Sequence, residues 1–331
     1  MRVKGLLGSI IAVGTSAVLA AAVPGVTIAA AGNGNQQASD VNVPGDAHKS
    51  PVKANRNKPG GRSNNLTYHG GVGGVGVETG ADAVYIVQWG WTSDPSGEAT
   101  QQQNFFQGVG GSSWNNSVTQ YCQGSVSYGS STCPSGATFA VNPALVYSQA
   151  NLWKDDINPL PGSITQSALA TEAVNAAAHF GNTTASSNTT AEYIIDTPTG
   201  HSTSGFGTQF CAWHSSTSST SYGNVAYTNF PYQTDAGTAC GQNFVNAGSA
   251  GLLDGVTIVG GHEFAETETD IFPNGGWLDS NGRENGDKCA WISSGQGAST
   301  NVTLATGTFA VQSLWSNSFN SGAGGCVTSY P

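Results

Sequence analysis

Six cysteines, Cys122, Cys133, Cys211, Cys240, Cys289 and Cys326, constrain this chain more than any other feature of its sequence. Their number is even and no Cys-x-x-Cys spacing offers a metal clamp, so three disulfides and an oxidising compartment are expected. Among the possible connectivities, spacing favours the sequential set Cys122–Cys133, Cys211–Cys240 and Cys289–Cys326. The start of the chain fits that compartment. Arg2 and Lys4 form a basic region, residues 6–23 are apolar, and small residues at Ala20, Ala21, Ala22 or at Ala29, Ala30, Ala31 offer cleavage sites. Residues 1–30 therefore read as a secretory signal peptide. Pro24 and small residues interrupt the apolar run, and no other segment is long enough to span. A secreted, extracellular protein with no membrane association after signal cleavage is expected.

The chain has 331 residues, enough to bury a sizeable core. Its charges are few and unevenly placed. Seven of the ten basic residues precede Leu66, and from there onward three basic residues face eighteen acidic ones. That balance excludes nucleic acid as a partner, because binding would add phosphate repulsion instead of releasing counterions. Residues 31–65 are rich in Gly, Asn, Lys and Pro, with few apolar side chains. Such a composition does not order itself. It reads as a disordered linker, or as a pro-segment whose five basic residues, Lys49 to Arg62, dock on the acidic body before maturation removes them. Residues 66–331 read as one domain.

Within that body, residues 82–89 alternate and are β-rich, which predicts a strand. Ser96 reads as an N-cap for a helix over 99–109 that turns Phe105 and Phe106 inward and closes at Gly110 and Gly111. A second helix is predicted over 164–180 with Gly181 as its stop. Residues 191–196 form a short buried strand, and the Gly/Ser/Thr/Tyr-rich stretch 200–250 reads as loops and short strands. Asp254 caps a third helix over 255–270, and residues 301–312 alternate as a returning strand. Helices and strands interleave irregularly. The expected class is α+β: a mixed sheet with a zincin-like active-site helix, loop-rich and disulfide-stabilised.

The third helix carries Gly261-His262-Glu263-Phe264-Ala265-Glu266. Residues four apart share a helix face, so His262 and Glu266 can reach one metal ion, while Glu263 sits one residue round, placed to take a proton from water. This is the layout of a zinc-hydrolase helix with its second histidine replaced by a carboxylate. Between residues 262 and 288 lie nine charged side chains, seven of them acidic. A solvated acidic helix would show basic partners at i+4, and none is present. A bound cation relieves the repulsion. A catalytic zinc takes three protein ligands and keeps one position open. The third is expected from Glu284 or Asp287, in a loop that a disulfide at Cys289 fixes beside the helix. Asp270 lies too far along the axis, and Glu268 is expected to face solvent. Zinc lowers the pKa of water it binds to about 7, with Glu263 as general base. Several oxygen ligands also suit calcium, but imidazole favours zinc.

Other residues weigh less. His214, beside Cys211, reads equally as a metal ligand or transition-state donor and as a packed histidine. His69 reads as structural, His179 as complementing a helix dipole, and His201 as uninformative. Asp235 follows Phe230-Pro231-Tyr232, an aromatic run that suits packing or a cleft. No Gly-x-Ser-x-Gly turn supports serine catalysis.

These residues together resemble a secreted bacterial and fungal group related to the plant exordium, or phosphate-induced, proteins. The resemblance rests on Tyr68-His69-Gly70-Gly71, the strand 84–89, Phe210-Cys211-Ala212-Trp213-His214, Tyr227-Thr228-Asn229-Phe230-Pro231-Tyr232, Asp254-Gly255 leading into the 261–266 motif, and Glu284-Asn285-Gly286-Asp287-Lys288-Cys289. It covers most of residues 66–331 and implies an extracellular protein associated with growth and wall responses. It carries over His262, Glu263, Glu266, Glu284, Asp287 and His214 as site residues, without fixing a reaction.

The expected function is a secreted metal-dependent peptidase or peptidase-like hydrolase. His262 and Glu266 bind zinc, with Asp287 or Glu284 completing the set and Glu263 as base. Its partner is an extracellular protein or peptide, including cell-wall material. The alternative is a non-catalytic wall-associated module in which the same cluster holds a structural cation and Trp89, Trp91 and Trp277 stack on sugars. Calcium bound for stability alone is the third reading.

Overall fold

The structure is a computed structural model that describes residues 47–53 and 64–331. The expected signal peptide and most of the expected linker lie outside the described residues. Its centre is a mixed six-stranded sheet: β1 (His48–Pro51), β2 (Ala83–Trp89), β3 (Leu152–Asp155), β4 (Ala191–Thr197), β5 (Phe210–Ser219) and β6 (Gly223–Pro231), in the order β1-β5-β6-β4-β2-β3. Strands β6, β4, β2 and β3 run parallel, β5 returns antiparallel to β6, and β1 lies antiparallel on the outer edge of β5.

Period-two alternation divides the core. Along β2 and β4, Val84, Ile86 and Ile194 join one cluster, while Val87, Trp89, Tyr193 and Ile195 join another on the opposite face. The second face is covered by α2 (Gln166–His179), whose Thr165 hydroxyl accepts from the Ala168 amide. The first is covered by α1 (Glu98–Val109) and α3 (Asp254–Thr269), with the hairpin β7 (Thr300–Leu304) and β8 (Gly307–Val311) behind them. Phe105 and Phe106 turn inward, meeting Phe309 and Phe264 edge-on. Two expected caps differ. The amides opening α1 are accepted by the Asp94 carboxylate, not by Ser96. Asp254 accepts from Val245, Asn246 and the Asn246 side chain instead of capping α3.

The stretch expected as loops and short strands contains two of the longest strands, β5 and β6. Their polarity hides them. Ser215, Thr217, Ser219, Thr228 and Asn229 are buried, where a sequence pattern expects apolar side chains. The disulfides are Cys122–Cys133, Cys211–Cys240 and Cys289–Cys326, the bonds of a protein matured in an oxidising environment. Among the described residues no helix is long and apolar enough to cross a membrane.

Every residue of α3 is buried. Glycines make that enclosure possible. A Cβ on Gly255 would meet the Cys240 carbonyl oxygen at 2.0 Å, and one on Gly261 would meet Trp114 and Phe105 at 3.0 and 3.1 Å. The helix that bears the charged motif is thus the centre of the molecule, not an amphipathic surface element.

Candidate metal centre

Three segments distant in sequence meet at the middle of α3. The helix brings His262, Glu263 and Glu266, β5 brings His214, and the loop before Cys289 brings Glu284 and Asp287. The loop is tied to the helix by two bonds: Asn285 Nδ2 donates to the Ala265 carbonyl at 2.9 Å, and the Asp287 amide donates to Glu266 Oε1 at 2.8 Å. Gly286 permits this approach, because a Cβ there would lie 2.9 Å from Glu266 Oε1 and 3.0 Å from His262 Nδ1.

Imidazoles and carboxylates alternate through the site. Glu266 Oε1 is 3.0 Å and Asp287 Oδ1 is 3.8 Å from His262 Nε2. On the other side, His214 Nε2 lies 3.6 Å from Glu266 Oε2 and 3.0 Å from Glu284 Oε2. Glu284 Oε2 also meets His48 Nδ1 at 2.7 Å. Burial alone would lower the imidazole pKa values, but the carboxylates win. Glu266 raises His262 to about 10, and Glu284 raises His214 to about 9 and His48 to about 11. Burial pushes Glu284 up, yet His214 and His48 hold it well below the usual carboxylate range. Burial raises Asp287 to about 8, reinforced by Glu266, and lifts Glu263 well above its ordinary value.

Three groups of donors lie close enough to share an ion, each with its atoms within 4.8 Å of one another: His262, Glu266 and Asp287; His214, Glu263 and Glu266; His48, His214 and Glu284. Whether these residues fit zinc is decided by an orienting bond. Gln312 Nε2 donates to the Gly286 and Ser313 carbonyls, which leaves Oε1 to accept from His262 Nδ1 at 3.0 Å. Nδ1 is thereby fixed as a donor, which leaves Nε2 as the nitrogen turned to Glu266 and Asp287 and the one that would bind an ion once it gives up its proton. Among the described residues His262 Nε2, Glu266 Oε2, Glu284 Oε1 and both oxygens of Glu263 are buried without a hydrogen-bond partner. A group that mixes imidazole nitrogen with carboxylate oxygens is a donor set of the kind zinc takes more readily than calcium.

All six residues expected from sequence converge here. Two more were not anticipated. Gln312, in the alternating tail just after β8, orients His262. His48, within the segment expected to be a linker or pro-segment, seals the far side. No sequence signal marks it, since its neighbourhood has neither periodicity nor a motif. Two other expectations are corrected, the exposure of Glu268 and the sugar-stacking role of two tryptophans. Glu268 does not face solvent; it is buried and accepts from Asn115 Nδ2 at 2.9 Å. Asp270 accepts the amides of Asn274, Gly275 and Gly276 and so ends α3. Trp277 and Trp89 are core residues whose indoles donate to the Cys122 and Asn158 carbonyls, so neither is a sugar platform. His179 stacks on Trp153, and Asp235 accepts from Thr199 and the Gly200 amide.

No family model, curated protein or solved structure matches this chain. The functional reading therefore rests on the geometry of the site.

Proposed function

We propose that the protein is a secreted, zinc-dependent hydrolase acting on extracellular peptide or protein. The observation that carries this reading is Glu263: a carboxyl buried within α3, both oxygens unpartnered, in contact range of His214 and Glu266. Burial raises Glu263 well above its ordinary value, and an unpartnered carboxyl beside imidazole and carboxylate donors is placed to give and take a proton. His262, Glu266 and Asp287 would hold the ion, which supplies a Lewis acid at the reacting carbonyl. Glu263 takes the proton of the attacking water and returns it to the leaving amine. His214, charged when protonated, stabilises negative charge on the carbonyl oxygen. The resemblance to exordium-related secreted proteins supports an extracellular setting, as do the disulfides.

One observation favours a second reading. His214, His262, Glu263, Glu266 and Glu284 are all essentially inaccessible, which suits a structural cation in a non-catalytic module. Glu263→Gln separates the two. In the catalytic reading it lowers hydrolysis of casein or wall peptides by about 10²–10⁴-fold and leaves the metal content unchanged. Parent protein that holds one equivalent of zinc yet cleaves nothing establishes the module. Less than about a tenth of an equivalent of any divalent ion after purification rejects both.

A further inference from the structure

One side of the candidate site is closed by residues 47–53, an outermost strand of the central sheet. Residues 47–53 lie antiparallel along the outer edge of β5, with His48 opposite His214 and Ser50 opposite Ala212. Three anchors hold them. His48 bonds Glu284 through Nδ1 and approaches Asn274 Oδ1 through Nε2 at 3.2 Å. The Pro51 carbonyl accepts from Trp291 Nε1 at 2.6 Å, and Val52 is buried in the main core. Lys49 and Lys53 lie over the rings of Phe210 and Phe244, at 5.4 and 5.0 Å. Trp291 itself sits at φ +58°, a left-handed conformation costing a bulky residue about 1–3 kcal/mol. That strain is tolerated where the indole grips the segment. Residues 54–63, with Arg56, Lys58 and Arg62, then join it to the body, which resumes at Asn64.

We infer that residues 47–53 are an internal strap occupying the peptide-binding edge of β5, and that the natural occupant of this edge is an extended polypeptide substrate. The inference rests on the hydrolase reading of the site. A strand edge offers unpaired amides and carbonyls that any extended chain can satisfy, so backbone pairing gives affinity without fixing sequence. The strap's pairing stops at His214, whose Nε2 lies 3.0 Å from Glu284 and 3.6 Å from Glu266, so a chain paired along the same residues is led to the site. With the strap in place, His48 holds Glu284 and blocks that path: side-chain exposure is 11% for His48, 18% for Asp287 and nil for Glu266 and Glu284. The strap's contact with the edge is intramolecular, so a break in the chain that follows it turns that contact into a dissociable one.

The test uses the folded full chain carrying a specific protease sequence in place of residues 55–61, compared before and after cutting. The probe is a labelled peptide with the sequence of residues 47–53, read by fluorescence anisotropy in EDTA so that no metal is needed. A tethered strap competes at an effective concentration of about millimolar, so cutting is expected to tighten probe binding at least about tenfold. Val52→Asp in the uncut chain, which puts a charge in the core contact, should tighten it likewise. Hydrogen exchange of the amides of residues 210–214 should become faster once the cut strap is washed away. Equal probe affinity before and after cutting overturns the inference, as does unchanged exchange protection. Adding zinc and casein distinguishes the layers. Probe binding without hydrolysis in the cut protein keeps the strap and removes the hydrolase reading, whereas equal hydrolysis before and after cutting removes the strap and keeps the hydrolase.

Discussion

Around α3 the protein buries carboxylates in two ways. On one side Glu263, Glu266, Glu284 and Asp287 share their space with His48, His214 and His262. Toward the end of the same helix, Glu268 lies among Glu78, Asp82 and Glu192, and of these only Glu192 feels an imidazole, that of His214. Burial raises Glu78 and Glu268 well above the ordinary glutamate value, with neighbouring Asp82 adding to each. It raises Asp82 and Glu192 to about 7. The first group stores charge of both signs. The second stores protons. An acidic sequence thus yields one region whose donors are grouped as a cation would need them and one that answers to pH.

Removing an imidazole from the first group should have the largest effect. His262→Ala leaves buried Glu266 and partly buried Asp287 without the imidazole beside them, and breaking such a buried pair costs about 3–5 kcal/mol. Zinc stoichiometry should fall to background in the same variant. Glu268→Gln in the second group is the matched control: its oxygen still accepts from Asn115, zinc stays bound, and stability at pH 8 is unchanged or higher. Denaturant melts with metal analysis check both. Equal losses from the two substitutions would erase the distinction between the regions.

The pH profile sharpens the comparison, because the two groups titrate in different windows. For Asp82 and Glu192 the folded pKa is above the unfolded one. Their contribution is complete below about pH 4 and is lost as pH rises through about 7, by about 1.4 kcal/mol per pH unit for each group titrating. The histidines also have raised folded values. The stability they lend the metal-free protein is complete below about pH 6.5 and is lost as pH rises through about 9 for His214 and about 10 for His262. Metal-free protein should therefore lose stability in two steps. Zinc should suppress the alkaline step together with the share of the acidic step that Asp287 contributes, releasing a proton for each imidazole or protonated carboxyl that becomes a ligand, while Glu192→Gln should flatten the acidic step by about 2–3 kcal/mol. Melting temperature against pH, with and without zinc, reads both.

How far the sequence exposed these regions follows from how each is encoded. The elements with apolar periodicity or clear stops, α1, α2, β2 and β4, are found within about two residues. The metal group is legible because charge is scarce: nine charged residues in a 27-residue window stand out in a chain with thirty. The proton-storing group is not legible, because Glu78, Asp82 and Glu192 are scattered and are joined only by the sheet and the return of α3. Strands β5 and β6 are hidden for a related reason, since their buried Ser, Thr and Asn read as loop, while inside the protein Thr228 donates to Glu192 and Asn229 to Thr203. His48 is hidden most completely. Its strand forms through backbone pairing to an edge about 160 residues away, which local composition does not encode.

The smallest effect tests whether the loop or the helix sets the metal geometry. Gly286 has φ −74°, so alanine there meets no backbone penalty and acts through space alone. Its Cβ would sit 2.9 Å from Glu266 Oε1 and 3.0 Å from His262 Nδ1, which forces the loop outward by a few tenths of an ångström. The Asp287 amide then draws away from Glu266, and the Gln312 contact with the Gly286 carbonyl loosens, so His262 loses part of its orientation. Loss of such an orienting partner costs about 10–100-fold in metal affinity, with about 1–2 kcal/mol of stability from overpacking. Competitive zinc titration of Gly286→Ala against the parent measures it. An unchanged affinity would mean that α3 alone, through His262 and Glu266, holds the ion and that the loop serves only to close the site.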